Sequence, residues 1–383
     1  MTGIRCDANS IIASGHMMRC LTVAKELVRL GESVTFFVAD EESGNAFRSM
    51  ASGAFDDAGA DGAGRVSVAV LNSNWQDMEA ELPALAKELS ARNTEVLLVD
   101  SYRATASYFE KLKELCPVAC FDDLHEDIYP VDVLINYSGY YKQLGYEESY
   151  RNVTGHCGEP TRLLLGLQYA PLREQFYGDD EEKNLEGSKS AGDAAAAEKG
   201  TSILLASGGA DGFGMLLGTL LAAEKNGLIG EADTVINWHV VAGALCMDID
   251  ALNAFAADHP GVHIHRAVAD MAGLMRQCDL AVCAAGTMLT ECAAVKLPAI
   301  FYQVADNQKY NVDFFENTGG MMFAGDVAVS KEKTIQKICD KVNAVLTGDE
   351  DLIRMKSALN DLTDGRGAVR IAEELVALER KTR

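Results

Sequence analysis

Ala13-Ser14-Gly15-His16-Met17-Met18-Arg19 separates the short candidate strand Ile4-Arg5-Cys6-Asp7 from the near-continuous apolar run Val34-Thr35-Phe36-Phe37-Val38. Its reading decides the fold. From Gly15 onward, Met17, Leu21, Ala24 and Val28 recur at helical spacing, while Arg19, Lys25, Glu26 and Arg29 fall elsewhere on the surface. Gly31 stands where a left-handed cap would end that helix. The near-continuous run at 34–38 is the pattern of a strand covered on both faces. The result is a strand, helix, strand unit with a glycine turn at its first crossover. That turn delivers His16 to the first turn of a helix, beside backbone N–H groups that have no partner inside the helix. Histidine is also the side chain suited to accepting a proton near neutral pH.

Outward from this unit the alternation continues. The Ala- and Gly-rich segment 57–65 reads as a loop, and 66–71 as a strand. A helix over 76–91 leads to a buried strand over 95–100 that ends in an acid, then Ser101-Tyr102. A helix over 104–115 leads to Val118-Ala119-Cys120-Phe121-Asp122-Asp123, and the run 131–135 ends in Asn136. Polar residues recur at the carboxyl ends of the strands, where open α/β sheets bind ligands. Composition changes abruptly over 177–200, which has almost nothing to bury and reads as an acidic, Ala- and Gly-rich linker or insertion. The pattern then restarts, with strands expected over 202–207, 235–241, 262–264, 280–283 and 299–302. Helices are expected from about 213 and over 251–257, 271–277 and 288–295. The expected organisation is one α/β domain over 1–176, the linker over 177–200 and a second α/β domain over 201–383, each with a mainly parallel sheet. A last helical pattern over 368–378 is expected to pack back on the first domain.

At 383 residues the chain is long enough for two ordinary cores, and its 48% hydrophobic and 24% charged residues are those of a globular protein. No apolar run is long enough to span a bilayer, and the first residues are not a basic segment leading into an apolar one, so a cytoplasmic protein is expected. Ten scattered cysteines, mostly beside apolar residues, read as reduced thiols. Cys116 and Cys120 are the closest pair, and no second pair or histidine cluster completes a metal site, so none is expected. A net charge of −23 repels nucleic acid and anionic membranes. It leaves room for a small anion held locally by backbone N–H groups at helix starts.

Three further stretches could carry chemistry. Gly208-Gly209 follows a strand and would let backbone approach a ligand closely; a plain turn is the competing account. Neither a dinucleotide fingerprint nor a P-loop pattern occurs. Gly286-Thr287 opens a helix whose first N–H groups could cradle a phosphate, with Glu291 one turn in, where it could accept from a vicinal diol or simply favour the helix dipole. Asp306-Asn307-Gln308 follows a strand end and suits hydrogen bonding to sugar or phosphate, or a satisfied turn.

Taken in order, Arg5-Cys6-Asp7-Ala8, Gly15-His16-x-x-Arg19, Gly208-Gly209-Ala210-Asp211, Gly286-Thr287-x-x-x-Glu291 and Asp306-Asn307-Gln308 resemble the UDP-sugar hydrolases of the pseudaminic acid pathway. That family includes proteins described as spore-coat polysaccharide biosynthesis proteins and is similar to the GT-B N-acetylglucosaminyltransferase of peptidoglycan synthesis. The resemblance implies a GT-B fold, two facing Rossmann-like domains with the active site in an interdomain cleft. It also implies that Gly208, Gly209, Gly286, Thr287, Glu291 and Gln308 bind UDP, with Val268 and Met271 bordering the uracil. His16 would be the general base, with Tyr102 and Asn307 in the catalytic group, and Asp7, Gly15, Arg19, Tyr137 and Arg173 would line the sugar. No metal or cofactor is implied.

The expected reaction is metal-independent hydrolysis of a UDP-activated deoxy acetamido sugar, water attacking the anomeric carbon and UDP leaving. Two alternatives stand beside it. One is an inverting glycosyltransferase in which an acceptor hydroxyl replaces water, and the other is a sugar-nucleotide-binding protein without turnover.

Overall fold

The computed structural model describes residues 1–12, 14–55, 63–178, 200–230, 236–348 and 350–382. Most of the expected loop at 57–65 and nearly all of the expected linker at 177–200 lie outside the described residues. The chain forms two units, residues 1–173 with 366–383, and residues 174–365.

The first unit alternates β1 (Thr2–Cys6), α1 (Gly15–Arg29), β2 (Val34–Val38), α2 (Glu41–Ala51), β3 (Val66–Val70), α3 (Met78–Ala91), β4 (Val96–Asp100), α4 (Ala106–Leu112), β5 (Val118–Phe121), β6 (Val133–Asn136), α5 (Tyr146–Ser149) and β7 (Arg162–Leu165). Its seven strands lie in the order β3-β2-β1-β4-β5-β6-β7, and every pairing is parallel. Because strand side chains alternate, Phe36 joins one apolar layer and Phe37 the other. The Phe36 layer packs on Met17, Leu21, Ala24 and Val28, the four residues whose spacing predicts α1. The Phe37 layer packs on Leu82, Leu85 and Leu89 of α3 and on Tyr108, Phe109 and Leu112 of α4.

The second unit runs β8 (Thr201–Ala206), α6 (Met215–Lys225), β9 (Ile236–Val241), α7 (Ile249–Asp258), β10 (Val262–His265), α8 (Met271–Arg276), β11 (Leu280–Ala284), α9 (Thr287–Ala294), β12 (Ala299–Gln303), α10 (Lys309–Glu316), β13 (Met321–Asp326), α11 (Val327–Thr347, interrupted at Ser330) and α12 (Leu352–Ala358). Its six parallel strands lie in the order β10-β9-β8-β11-β12-β13. Trp238, wholly buried, sits in its main apolar layer with Ile203, Leu205, Val282 and Ile300.

The second unit therefore begins at Glu174 and stops at Gly365, whereas the composition break suggests 201–383. The last helix, α13 (Gly367–Thr382), belongs to the first unit. Its Ala368, Ile371, Ala372 and Leu375 share one core with the buried face of α1. At the other end of the chain the Met1 ammonium donates to Glu95 and to Glu379 of α13, each at 2.6 Å.

Both sheets reverse strand order between their first and fourth strands, β1 and β4 in one, β8 and β11 in the other. At such a switch point the loops leaving two adjacent strands diverge to opposite faces and leave a crevice at the carboxyl ends. The His16 turn follows β1, Gly208-Gly209 follows β8, and Gly286-Thr287 follows β11.

Candidate active site

β1 and β4 pair in register, Cys6 opposite Asp100, so the turn after β1 and the last residue of β4 meet at the first unit's switch point. There His16 Nδ1 lies 2.6 Å from Asp100 Oδ1. Asp100 is buried among apolar strands, and burial opposes its ionisation. Arg19 and His16 outweigh that penalty and hold the carboxyl well below the usual carboxylate range. An ionised carboxylate only accepts, so the Asp100 contact calls for the proton on His16 Nδ1, and in the neutral imidazole the lone pair then sits on Nε2. This is the arrangement in which a carboxylate orients an imidazole as a base and stabilises the imidazolium it becomes. His16 also stands edge-on to the Tyr102 ring, with centroids 4.6 Å apart.

Arg19, one helical turn after His16, braces the acid. Its Nε donates to Asp100 Oδ2 at 2.6 Å and one terminal nitrogen to Asp100 Oδ1 at 2.5 Å, a two-point fork. Its other terminal nitrogen donates to Asp123 Oδ2 at 2.8 Å and to the Tyr137 hydroxyl at 2.8 Å. The guanidinium lies 4.6 Å from the Phe121 ring centre. Tyr102 donates to Asp123 Oδ2 at 2.8 Å. Burial and the Asp123 charge push the Tyr102 hydroxyl far above its ordinary value, and burial pushes Tyr137 up to about 12, so both phenols stay protonated.

Set against the sequence reading, the structure brings His16, Arg19, Tyr102 and Tyr137 into one network. It assigns different work to two residues expected to line the sugar. Arg19 is occupied by Asp100, Asp123 and Tyr137. Asp7 is buried, with Oδ2 accepting from Arg5 and Oδ1 from the Ala39 backbone. Arg5 is itself wholly buried and forks onto Glu81 at 2.7 Å, with Tyr108 donating to the same carboxylate at 3.0 Å. Its conjugate acid is held well above the ordinary range, since the Asp7 and Glu81 charges outweigh burial. This cluster anchors the end of β1 from within. Gly15 is exposed with open space where a Cβ would go, and Arg173 closes the first unit's main segment, half-buried. Asp100 and Asp123 complete the network although no motif singled them out. Their signal was the acid ending each apolar run at 95–100 and 118–123.

In the second unit Gly208 adopts a left-handed φ of 74°, and Gly209 runs so close to Gly243 that a Cβ on Gly243 would collide with the Gly209 carbonyl. Asp211, two residues on, accepts from the first N–H groups of α6 at 2.8 and 3.1 Å, fixing the loop. Gly286 caps α9 without a side-chain partner and has nothing within 4 Å of where a Cβ would stand. Thr287 is exposed and Glu291 half-buried one turn in. Asp306–Gln308 forms a 3-10 turn in which Gln308 Oε1 accepts from Val304 N at 2.8 Å, while Asn307 is exposed. Val268 and Met271 flank the start of α8, just after Ala267 at a left-handed φ of 49°. Among the described residues no group of three or more His, Cys, Asp or Glu is placed to hold a metal ion. No described helix is long and apolar enough to cross a membrane.

Two parallel-sheet, Rossmann-like units with glycine-lined switch points define the GT-B glycosyltransferase fold. Solved structures bear this out. The chain is similar to MurG of Acinetobacter baumannii (TM-score 0.62, 13% identity, 98% of this chain and 99% of that one). It is similar to the calicheamicin glycosyltransferase CalG4 (TM-score 0.62, 12% identity, 98% of each). A third likeness is to a putative UDP-N-acetylglucosamine 2-epimerase of Listeria monocytogenes (TM-score 0.61, 11% identity, 100% and 97%). Residues 248–373 match the Glycosyltransferase family 28 C-terminal domain. Among curated proteins the chain is 22% identical over 290 residues to the spore coat polysaccharide biosynthesis protein SpsG of Bacillus subtilis (strain 168), covering 75% of this chain and 78% of that one.

Proposed function

We propose that this chain is an enzyme that uses a UDP-sugar and transfers the sugar to an acceptor hydroxyl, with His16 as general base. The observation that carries the reading is the Asp100–His16 pair, 2.6 Å long at a sheet switch point and braced by Arg19. The second unit's glycine loop and the bare start of α9 supply what a diphosphate needs, backbone N–H groups approached without a Cβ in the way. The family 28 match, which spans α9 and the turn at Asp306–Gln308, supports the same assignment. In this reaction the acceptor O–H proton moves to His16 Nε2 as the oxygen bonds to the anomeric carbon. The anomeric C–O bond to UDP breaks, and its electron pair leaves on the diphosphate, stabilised by the N–H groups at Gly286 and Thr287. Glu291, Gln308, Val268 and Met271 would complete the nucleotide site, with Asn307 beside the leaving group. General-base assistance of this kind is worth roughly 10²–10⁴ in rate.

A second reading, hydrolysis with water as the acceptor, is favoured by the motif set shared with the UDP-sugar hydrolases, His16 and Arg19 included. UDP and free sugar appearing from a UDP-sugar with no acceptor present would select hydrolysis; strict dependence on an acceptor would select transfer. His16→Ala tests both. A variant that is folded, binds UDP and turns over at the wild-type rate would sink the base assignment, and UDP binding with no turnover by wild type would leave a binding protein.

A further inference from the structure

The turn that leads into α8 is held from outside by a side chain that the reaction above does not use. Gln175 lies in a 3-10 turn, Glu174–Phe176, at the point where the chain enters the second unit. Its Nε2 donates to the Ala269 carbonyl at 3.2 Å, and its Oε1 accepts from the Ala272 backbone N–H at 3.0 Å. Ala269 precedes α8 and Ala272 lies in its first turn, so one carboxamide spans the approach and the start of the helix. Between them, Asp270 accepts from Gly273 N at 2.8 Å. Ahead of them, Ala267 takes a left-handed φ of 49°, which a residue with a Cβ keeps only where its surroundings impose it.

Gln175 is itself firmly anchored. Phe176 is wholly buried, and its carbonyl stands so close to Gly365 that a Cβ there would collide with it. Gly178 N donates to the Asp364 carbonyl at 2.9 Å, and Arg276, the last residue of α8, donates to the Tyr177 carbonyl at 3.2 Å. Segment 174–178 is thereby tied to both ends of α8 and to the place where the chain leaves the second unit. A helix leaves its first N–H groups unpaired, and at α8 Gln175 and Asp270 accept those of Ala272 and Gly273. That start therefore has little to offer a diphosphate, whereas Gly286 caps α9 with no side-chain partner. What the turn before α8 presents instead is backbone held in place beside the half-buried Val268 and Met271. Backbone groups discriminate between ligands by hydrogen bonding only when the segment carrying them does not relax around the wrong one.

We propose that Gln175 is a positioning residue for the nucleobase, holding the turn at 267–272 in the shape that tells a pyrimidine from a purine. The proposal rests on the UDP-sugar reading. Calorimetric binding of UDP and of ADP, which share a ribose diphosphate and differ in the base, tests it. Wild type should bind UDP at least about tenfold tighter than ADP, the scale of one or two hydrogen bonds to the base edge. Gln175→Met keeps the length of the side chain and removes both of its hydrogen bonds, and should bring the two affinities to within about threefold of each other. Gln175→Glu keeps an acceptor for Ala272 at a helix start, where a carboxylate is favoured, but sets that carboxylate against the Ala269 carbonyl. It should match wild type in melting temperature and still lose the discrimination, which a role in folding alone would not produce. A UDP-to-ADP ratio that survives in either variant, with both ligands weakened together or neither weakened, overturns the proposal. Equal binding of UDP and ADP by wild type overturns it while leaving the parent reading intact. Failure of wild type to bind UDP overturns the parent reading and this one with it.

Discussion

Replacing Asp100 by asparagine is the sharpest test of the site, because the substitution preserves shape and changes only what the side chain can accept. Asp100 Oδ1 receives His16 Nδ1 and one Arg19 nitrogen, and Oδ2 receives Arg19 Nε. An amide has one acceptor oxygen, so in Asp100→Asn either Arg19 Nε alone, or His16 together with the other Arg19 nitrogen, faces an N–H₂ group. If the oxygen takes the place beside Arg19 Nε, His16 loses the acceptor that fixes its tautomer. If it stays with His16, the imidazolium formed during reaction has no counter-charge. On either route the turnover rate should fall by about 10³, which is about 4 kcal/mol of barrier. Removing one member of a buried ion pair typically costs about 3–5 kcal/mol of stability, and the surviving Asp123 contact places this case at the low end, about 3 kcal/mol. Steady-state release of UDP, read beside urea unfolding of the same preparation, separates the two effects. A folded Asp100→Asn enzyme with turnover within about threefold of wild type would refute the coupling of Asp100 to His16.

Four further outcomes are expected. Asp100 has a folded pKa below its unfolded value of about 3.9, so its contribution to stability is full above about pH 4 and is lost as pH falls toward the folded value. The stability gap between wild type and Asp100→Asn should therefore be widest near neutrality and shrink below about pH 4 in pH-stepped urea titrations. Gly286→Ala meets open space and an extended backbone, so its melting temperature should match wild type while UDP binding weakens by about tenfold or more, since the methyl stands where the diphosphate would approach. Gly243→Ala, in contrast, strikes the Gly209 backbone and should lower both stability and UDP affinity; unchanged melting would disprove the close approach. Ending the chain at Gly365 uncovers the α1 face that Ile371, Leu375, Val376 and Leu378 help to bury, roughly 6–10 kcal/mol of apolar burial and comparable to the stability of a whole domain. Such a truncation should leave residues 1–173 unfolded by circular dichroism and proteolysis.

Much of the fold is legible in residue order alone. The run Val34–Val38 is β2 residue for residue, and Leu280–Ala284 extends the expected strand at 280–283 by one. What escapes notice includes the helices α2, α10, α11 and α12 as well as strands that are short or irregular. Arg162–Leu165 is a four-residue edge strand with little alternation to mark it, and Met321–Asp326 slips register against β12 near Tyr302, blurring any period. The site divides along a similar line. His16 and Arg19 announce themselves because a helix start and a one-turn spacing are local facts. Asp100 lies 84 residues from His16, and only the adjacency of β1 and β4 joins them. Read linearly, any of the acids ending β4 or β5 could have been that partner. Asp7, which the resemblance sets beside the sugar, has its carboxylate engaged by the buried Arg5 and by the Ala39 backbone, a pairing across β1 and β2 that residue order alone does not announce.

The return of α13 to the first unit sets an order of assembly. Residues 174–365 hold all six strands of the second sheet and can close their own core as soon as they leave the ribosome. The first unit, although synthesised earlier, waits with the apolar face of α1 uncovered until the final helix emerges. During that interval the His16 turn stands on a helix whose packing is incomplete. A chain cut short between Tyr137 and its last helix therefore carries every residue of the candidate base network in an unfinished scaffold.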